Sequence, residues 1–153
     1  MKTFILEWRP AISNYKLNDY EEALDASLRG DVWFNWSIWD WKELKVGDEF
    51  YMIKCGEEPT GIVMHGHFTS EPYLGEDWSG KGRETYYADM RPDSMTHPLR
   101  SQMITTAMLE EAMPDFQWNG GHSGRVLPEE YAQKLRQIWD NYHNGVLDEK
   151  EGE

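Results

Sequence analysis

Residues 49–70 read EFYMIKCGEEPTGIVMHGHFTS, two β-rich runs, Glu49–Cys55 and Gly61–Ser70, joined by Gly56-Glu57-Glu58-Pro59-Thr60. Aromatic and β-branched residues favour pleated backbone, and a five-residue connector holding both Gly and Pro suits a hairpin loop. The fold is therefore organised around a local antiparallel pair. Immediately upstream, Lys45-Val46-Gly47-Asp48 is a turn signal. Downstream, the polar stretch GEDWSGKGRE (75–84) leads to a further strand, TYYADM (85–90).

Further out, TFILEW (3–8) opens the chain as a strand that Pro10 stops. A helix is expected over Asn18–Leu28, with Tyr20, Ala23, Leu24 and Leu28 on one face, Asn18 and Glu21 at capping-box spacing, and Gly30 after it. VWFNWSIWDW (32–41) begins as a strand to about Ser37. Residues 101–113 suggest a short Met-rich helix ended by Pro114. The last helix starts at Pro128 with Glu129 and Glu130 in its first turn, carries Tyr131, Leu135, Ile138, Trp139 and Tyr142 as an apolar stripe, and closes at Asn144-Gly145. Strands and helices do not alternate, which predicts an α+β domain on a curved antiparallel sheet, with the hairpin at its centre and the last helix packed on it through Leu135, Ile138 and Trp139. We expect one domain over 1–145 and a disordered acidic tail over 146–153.

The chain has 153 residues, 15 basic against 28 acidic, for a formal charge of -13. Such a surface repels phosphate at long range and disfavours non-specific nucleic-acid binding, while leaving room for a site that works by base stacking. Cys55 is the only cysteine, so no internal disulfide forms, and MKTFILEWRP holds too short an apolar run for a signal peptide. No window is long and apolar enough to span a membrane. These features predict a cytoplasmic protein.

Chemistry is hard to place on the residues alone. His65 and His67 share one face of a strand but lack a third ligand at a defensible spacing, so no metal is expected. Cys55 has no nucleophile signature around it, and His122-Ser123 is a pair of neighbours with no marked acidic partner. No phosphate-binding glycine loop and no CxxC is present. The reading is a non-enzyme without a cofactor.

The eight tryptophans remain, four of them between Trp33 and Trp41. Strand alternation puts Val32, Phe34, Trp36 and Ile38 on one face and Trp33, Asn35 and Ser37 on the other. Core packing accounts for an inward Trp36. It accounts less well for Trp8, Trp78 and Trp118, which stand at strand ends or in polar loops.

Several pieces recur in a familiar order: Trp36-Ser37, the turn Lys45-Val46-Gly47-Asp48, FYMIKCGEEPTGI, GHFTSEP with Tyr73, Asp77-Trp78, Gln117-Trp118, Ser123-Gly124 and Pro128-Glu129-Glu130. Over Phe4 to Trp139 the chain resembles an EVE domain of the PUA-like superfamily, and looks closest to the EVE-like module at the N-terminus of modification-dependent HNH endonucleases. It carries no HNH motif. The resemblance implies an α+β, PUA-like (EVE- and YTH-like) fold, a strongly bent sheet or open barrel flanked by helices, with a pocket for a modified nucleobase. The related YTH domains read methyladenine in RNA, and the endonuclease modules are associated with methylated or hydroxymethylated cytosine in DNA. It implies Trp36 and Trp78 as cage residues, with Ser37, Trp118 and Ser123 at the rim and polar edge. Lys81, Arg83 and Arg125 are candidates for a phosphate rim. The expected partner is modified nucleic acid or a free modified nucleoside. Other readings are a different small ligand or a protein-interaction module.

Overall fold

The computed structural model of the chain describes residues 1–30, 32–76, 82–99 and 102–151, with side chains as far as Tyr142. In chain order the elements are β1 (Thr3–Trp8), α1 (Leu17–Ser27), β2 (Phe34–Ser37), a 3-10 turn at Trp41–Glu43, β3 (Glu49–Lys54), β4 (Gly61–Phe68), β5 (Tyr73–Glu76), β6 (Glu84–Met95), α2 (Thr106–Ala112), β7 (Arg125–Leu127) and α3 (Glu129–Glu151). Seven strands form one sheet in the order β2-β6-β4-β3-β1-β7, with β5 beside β6. The β3–β4 hairpin lies at its middle, Phe50 opposite Gly66 and Tyr51 opposite His65.

One pairing departs from the antiparallel plan. β1 and β3 run parallel, from Thr3 beside Glu49 to Trp8 beside Lys54. Parallel neighbours need a crossover, and α1 with β2 supplies the length of chain for it. Pairing between segments this far apart leaves no local sequence mark.

Alternation along the central strands divides the apolar residues between two faces of one sheet. Phe4, Leu6, Trp8, Phe50, Met52, Met64 and Phe68 join one buried cluster with Tyr20 of α1. Ile5, Tyr51, Ile53 and Ile62 join the other, which α2 and α3 cover through Leu109, Leu135, Ile138 and Trp139. The ends of the strand order meet: Trp39 N donates to Ser123 O and Asp40 N to Gly124 O, each at 3.0 Å. The two edges of the open, curved sheet are thus brought together around the first cluster. At this seam Gly124 has φ +86°, and a Cβ there would lie 2.5 Å from Ile38 Cα. Only glycine permits that approach.

Three sequence-based boundaries move. α1 starts earlier than Asn18, because Lys16 N is capped by Asp19 Oδ2 at 2.9 Å, and Leu28 is left exposed. β6 runs on past Met90 through Pro92, where the register shifts between His65 and Gly66 and so absorbs the missing N–H. α3 continues past Asn144-Gly145 to Glu151, into the segment expected to be a tail. One interior glycine costs a helix only about 1 kcal/mol, and Leu147, Glu149 and Lys150 are good helix formers. Among the described residues no helix is long and apolar enough to cross a membrane.

Candidate functional site

Beside this seam lies a cavity of about 650 Å³. It is lined by Glu7 at the end of β1 with Arg9 beyond it, Ile12–Tyr15 before α1, Asn35–Ser37 of β2, Tyr73, Gly75 and Glu76 of β5, Tyr87 of β6, and Gly121 and Ser123 before β7. Both the size and the mixed lining are those of a small-molecule site.

Trp36 follows buried Phe34 on the inward side of β2, but it faces the cavity there and is only half-buried. Tyr15 stands edge-on to it, ring centroids 5.6 Å apart at 86°. The indole Nε1 donates to Ser123 Oγ at 3.1 Å, and the same oxygen accepts the Glu7 backbone N–H at 2.9 Å. One hydroxyl therefore fastens β1, β2 and the turn before β7 together. A second aromatic pair comes from the β5–β6 hairpin, where Tyr73 and Tyr87 lie 6.4 Å apart at 29°. Tyr73 donates to Asp89 Oδ1 at 2.6 Å and Tyr87 to Glu76 O at 2.7 Å, which fixes both rings.

Glu7 is the charged residue of the cavity floor, its side chain 5% exposed. Oε1 accepts from Arg125 Nη2 at 3.1 Å and from Gly120 N at 3.3 Å. Burial nevertheless dominates and pushes the carboxyl up to about 7, against the lowering pull of Arg125, Gly120 and Arg9. Arg125 is spent behind it: Nη2 also donates to Gln117 O at 2.6 Å and to Gly120 O, Nε donates to His122 O, and the guanidinium lies over Phe116.

Of the residues singled out in the sequence, the cavity gathers Trp36, Ser37 and Ser123. Trp78 and Lys81 lie outside the described residues. Trp118 is a core residue, 1% exposed, with Nε1 donating to Met113 O at 3.0 Å; the carbonyl at the end of α2 satisfies its one polar atom, so burial costs it nothing. Arg125 braces the turn under the cavity and is not free for phosphate at a rim, because fixed acceptors surround it. Arg83 is exposed but does not line the cavity.

Sequence reasoning missed Glu7, Arg9, Tyr15, Tyr73 and Tyr87. For Glu7 a signal existed: a lone acid interrupting the apolar strand Phe4-Ile5-Leu6-Glu7-Trp8. Tyr73 entered only as a piece of the family resemblance, and Tyr15 and Tyr87 gave no signal, since three separate elements bring the three together.

The histidine pair and the cysteine are committed to the fold. His65 contacts Glu49 at 3.2 Å and His67 contacts Asp93 at 2.6 Å; no group of three or more metal-ligating side chains occurs among the described residues. The Cys55 thiol is buried, and desolvation pushes it up to about 12, far from a nucleophile at neutral pH. Outside the cavity Trp39 is 58% exposed and stacks flat on His122 with centroids 3.6 Å apart.

Comparison with solved structures identifies the architecture. A protein from Leishmania major superposes with a TM-score of 0.55 over 93% of this chain and 97% of its own, at 13% identity. One from Pseudomonas putida gives 0.54 over 88% and 97%, at 14% identity. Human THYN1, solved in complex with 5-methylcytosine-containing DNA, gives 0.50 over 74% of this chain and 76% of its own, at 11% identity. The fold is PUA-like. At these identities the likeness is one of fold alone. No protein-family model matches the sequence, nor does any curated protein.

Proposed function

We propose that this PUA-like chain is a non-catalytic binding module whose cavity receives a modified nucleobase, methylated or hydroxymethylated, presented by nucleic acid. The observation that carries the reading is the cavity itself: a half-buried Trp36 with Tyr15 against it, Tyr73 and Tyr87 held by hydrogen bonds, and a polar floor of Glu7 and Ser123. Flat faces around a polar floor suit a base that has left its stack. Extrusion costs a few kcal/mol, and each stacked ring returns about 1 to 3 kcal/mol, so two faces offset the flip. The shared fold with THYN1, which was solved with 5-methylcytosine-containing DNA, supports the same reading. So does the resemblance of the sequence to the EVE-like modules of modification-dependent endonucleases.

Charge favours a second reading, a free modified nucleoside in a cytoplasmic setting. The chain carries a formal charge of -13, and the cavity lining offers Glu7 and Glu76 beside Arg9. A nucleoside without phosphates escapes that repulsion. Tryptophan fluorescence titration with free modified nucleosides and with short oligonucleotides carrying the same bases separates the two. Tighter binding of the oligonucleotide supports the nucleic-acid module. Equal or weaker binding supports the nucleoside, and saturation by neither removes both.

A further inference from the structure

The floor of the cavity holds two hydrogen-bonding groups whose protein partners are used up on one side only. Ser123 Oγ accepts twice, from Trp36 Nε1 at 3.1 Å and from Glu7 N at 2.9 Å. Both lone pairs are occupied, and the hydroxyl hydrogen has no acceptor among the described residues. Glu7 is the complement. Its Oε1 takes Arg125 and Gly120, while nothing among the described residues donates to Oε2. Arg125 cannot swing to cover that oxygen, since the carbonyls of Gln117, Gly120 and His122 hold its guanidinium. The cavity lining thus holds one hydroxyl with a hydrogen to give and one carboxylate oxygen without a donor, on residues joined by the Glu7 N to Ser123 Oγ hydrogen bond, among aromatic side chains.

Resting on the base-pocket reading, we infer that Ser123 and Glu7 read the Watson–Crick edge of the bound base, the hydroxyl donating to a ring nitrogen or carbonyl and Oε2 of the ionised carboxylate accepting an adjacent N–H. Every unmodified nucleobase presents an acceptor next to an N–H on that edge, so the pair recognises a base as such. Discrimination follows from what the pair rejects. A base whose edge N–H groups are replaced by methyl leaves Oε2 buried and unpaired, a penalty of the kind that rejects ligands most strongly. The modification accepted by the site therefore leaves at least one N–H on that edge, as a methyl on the opposite edge does, while Trp36, Tyr73 and Tyr87 offer ring faces to the base.

Two nucleosides with the same ring test this: 5-methyl-2′-deoxycytidine, methylated away from that edge, and N4,N4-dimethyl-2′-deoxycytidine, which has no N–H there. Each is titrated by calorimetry into the wild-type chain and into Glu7→Gln, with melting curves run in parallel. The inference predicts that the wild type binds the 5-methyl compound about tenfold or more tighter than the dimethyl compound, and that Glu7→Gln, still folded, narrows the gap. Equal affinity of the wild type for the two overturns the edge assignment while leaving the base pocket standing, and this arm needs no variant. An unchanged gap in folded Glu7→Gln likewise removes Glu7 as the reader. Failure of the wild type to bind either compound overturns the base-pocket reading and this inference with it.

Discussion

The indole Nε1 of Trp36 donates to Ser123 Oγ across 3.1 Å, tying together residues 87 positions apart at the seam between the two edges of the sheet. Its polar atom is satisfied by protein, so what the ring offers to a ligand is its face. That makes Trp36 different in kind from Trp118, which is buried within the second core cluster.

Truncating the two should separate stability from binding. Trp118→Ala removes a fully buried ring and is expected to cost about 3 to 5 kcal/mol in denaturant unfolding. Trp36→Ala should cost less and weaken binding of a modified base by about 1 to 3 kcal/mol. Chemical denaturation and calorimetric titration of both variants check this.

Gly124→Ala tests the seam. The added Cβ would meet Ile38 Cα at 2.5 Å and Trp39 N at 2.8 Å, and the backbone there has φ +86°. Strain and clash together predict a loss of about 2 kcal/mol or more, with weakened ligand binding because Ser123 is the neighbouring residue. Equal melting of variant and wild type would mean that the seam is not closed in solution.

Acid should attack the structure through Glu49. Burial alone would raise its pKa, but hydrogen bonds from His65, Thr3 and Arg136, with the charge of Arg136, outweigh burial and hold it at about 2. A carboxylate held below its ordinary 4.5 stabilises the fold fully above 4.5, and that contribution drains away as pH falls from there toward 2. Glu7 has the opposite sign. With its folded value raised to about 7, its contribution is present below 4.5 and lost as pH rises through 7. Glu49→Gln should therefore destabilise at neutral pH and flatten the acid limb of the stability curve, whereas Glu7→Gln should gain stability above pH 7. Urea midpoints across pH read both.

Salt reports how the ligand is held. With a formal charge of -13 and Arg9 as the basic residue lining the cavity, few phosphates are neutralised. The logarithm of oligonucleotide affinity should fall with that of salt at a slope of about -1 to -2. A steep slope would point to a basic surface instead of stacking.

How much of this was legible in the sequence depends on how local each feature is. Glu49–Ser70 declared its hairpin because both strands and their loop are contiguous, and α3 declared itself through Leu135, Ile138 and Trp139 at helical spacing. β5 and β7 are only four and three residues long, and YLGE and RVL are too short to set a period. Trp36 was placed inward by alternation. Its neighbours Tyr15 and Tyr87 were not, because nothing local links a loop before α1 to the middle of β6. Glu7 and Arg125 meet across 118 positions, so the sequence could suggest Arg125 for phosphate while the fold uses it to brace a carboxyl. Trp118 misled for a simpler reason: Gln117 and Asn119 beside it read as exposed loop, yet the indole turns under α2.

The central claim is that a base lies on Trp36, and indole N–H resonances test it most directly. The eight tryptophans give up to eight cross-peaks in an 15N-labelled sample, with Trp36 assigned by its loss in Trp36→Phe. On titration with an oligonucleotide carrying 5-methylcytosine, the account predicts that the Trp36 signal moves and saturates, that Trp8 and Trp118 in the core stay in place, and that the unmodified oligonucleotide produces a weaker response. A Trp36 signal that stays fixed while those of exposed Trp33 or Trp39 move would place the ligand outside the cavity and contradict the claim.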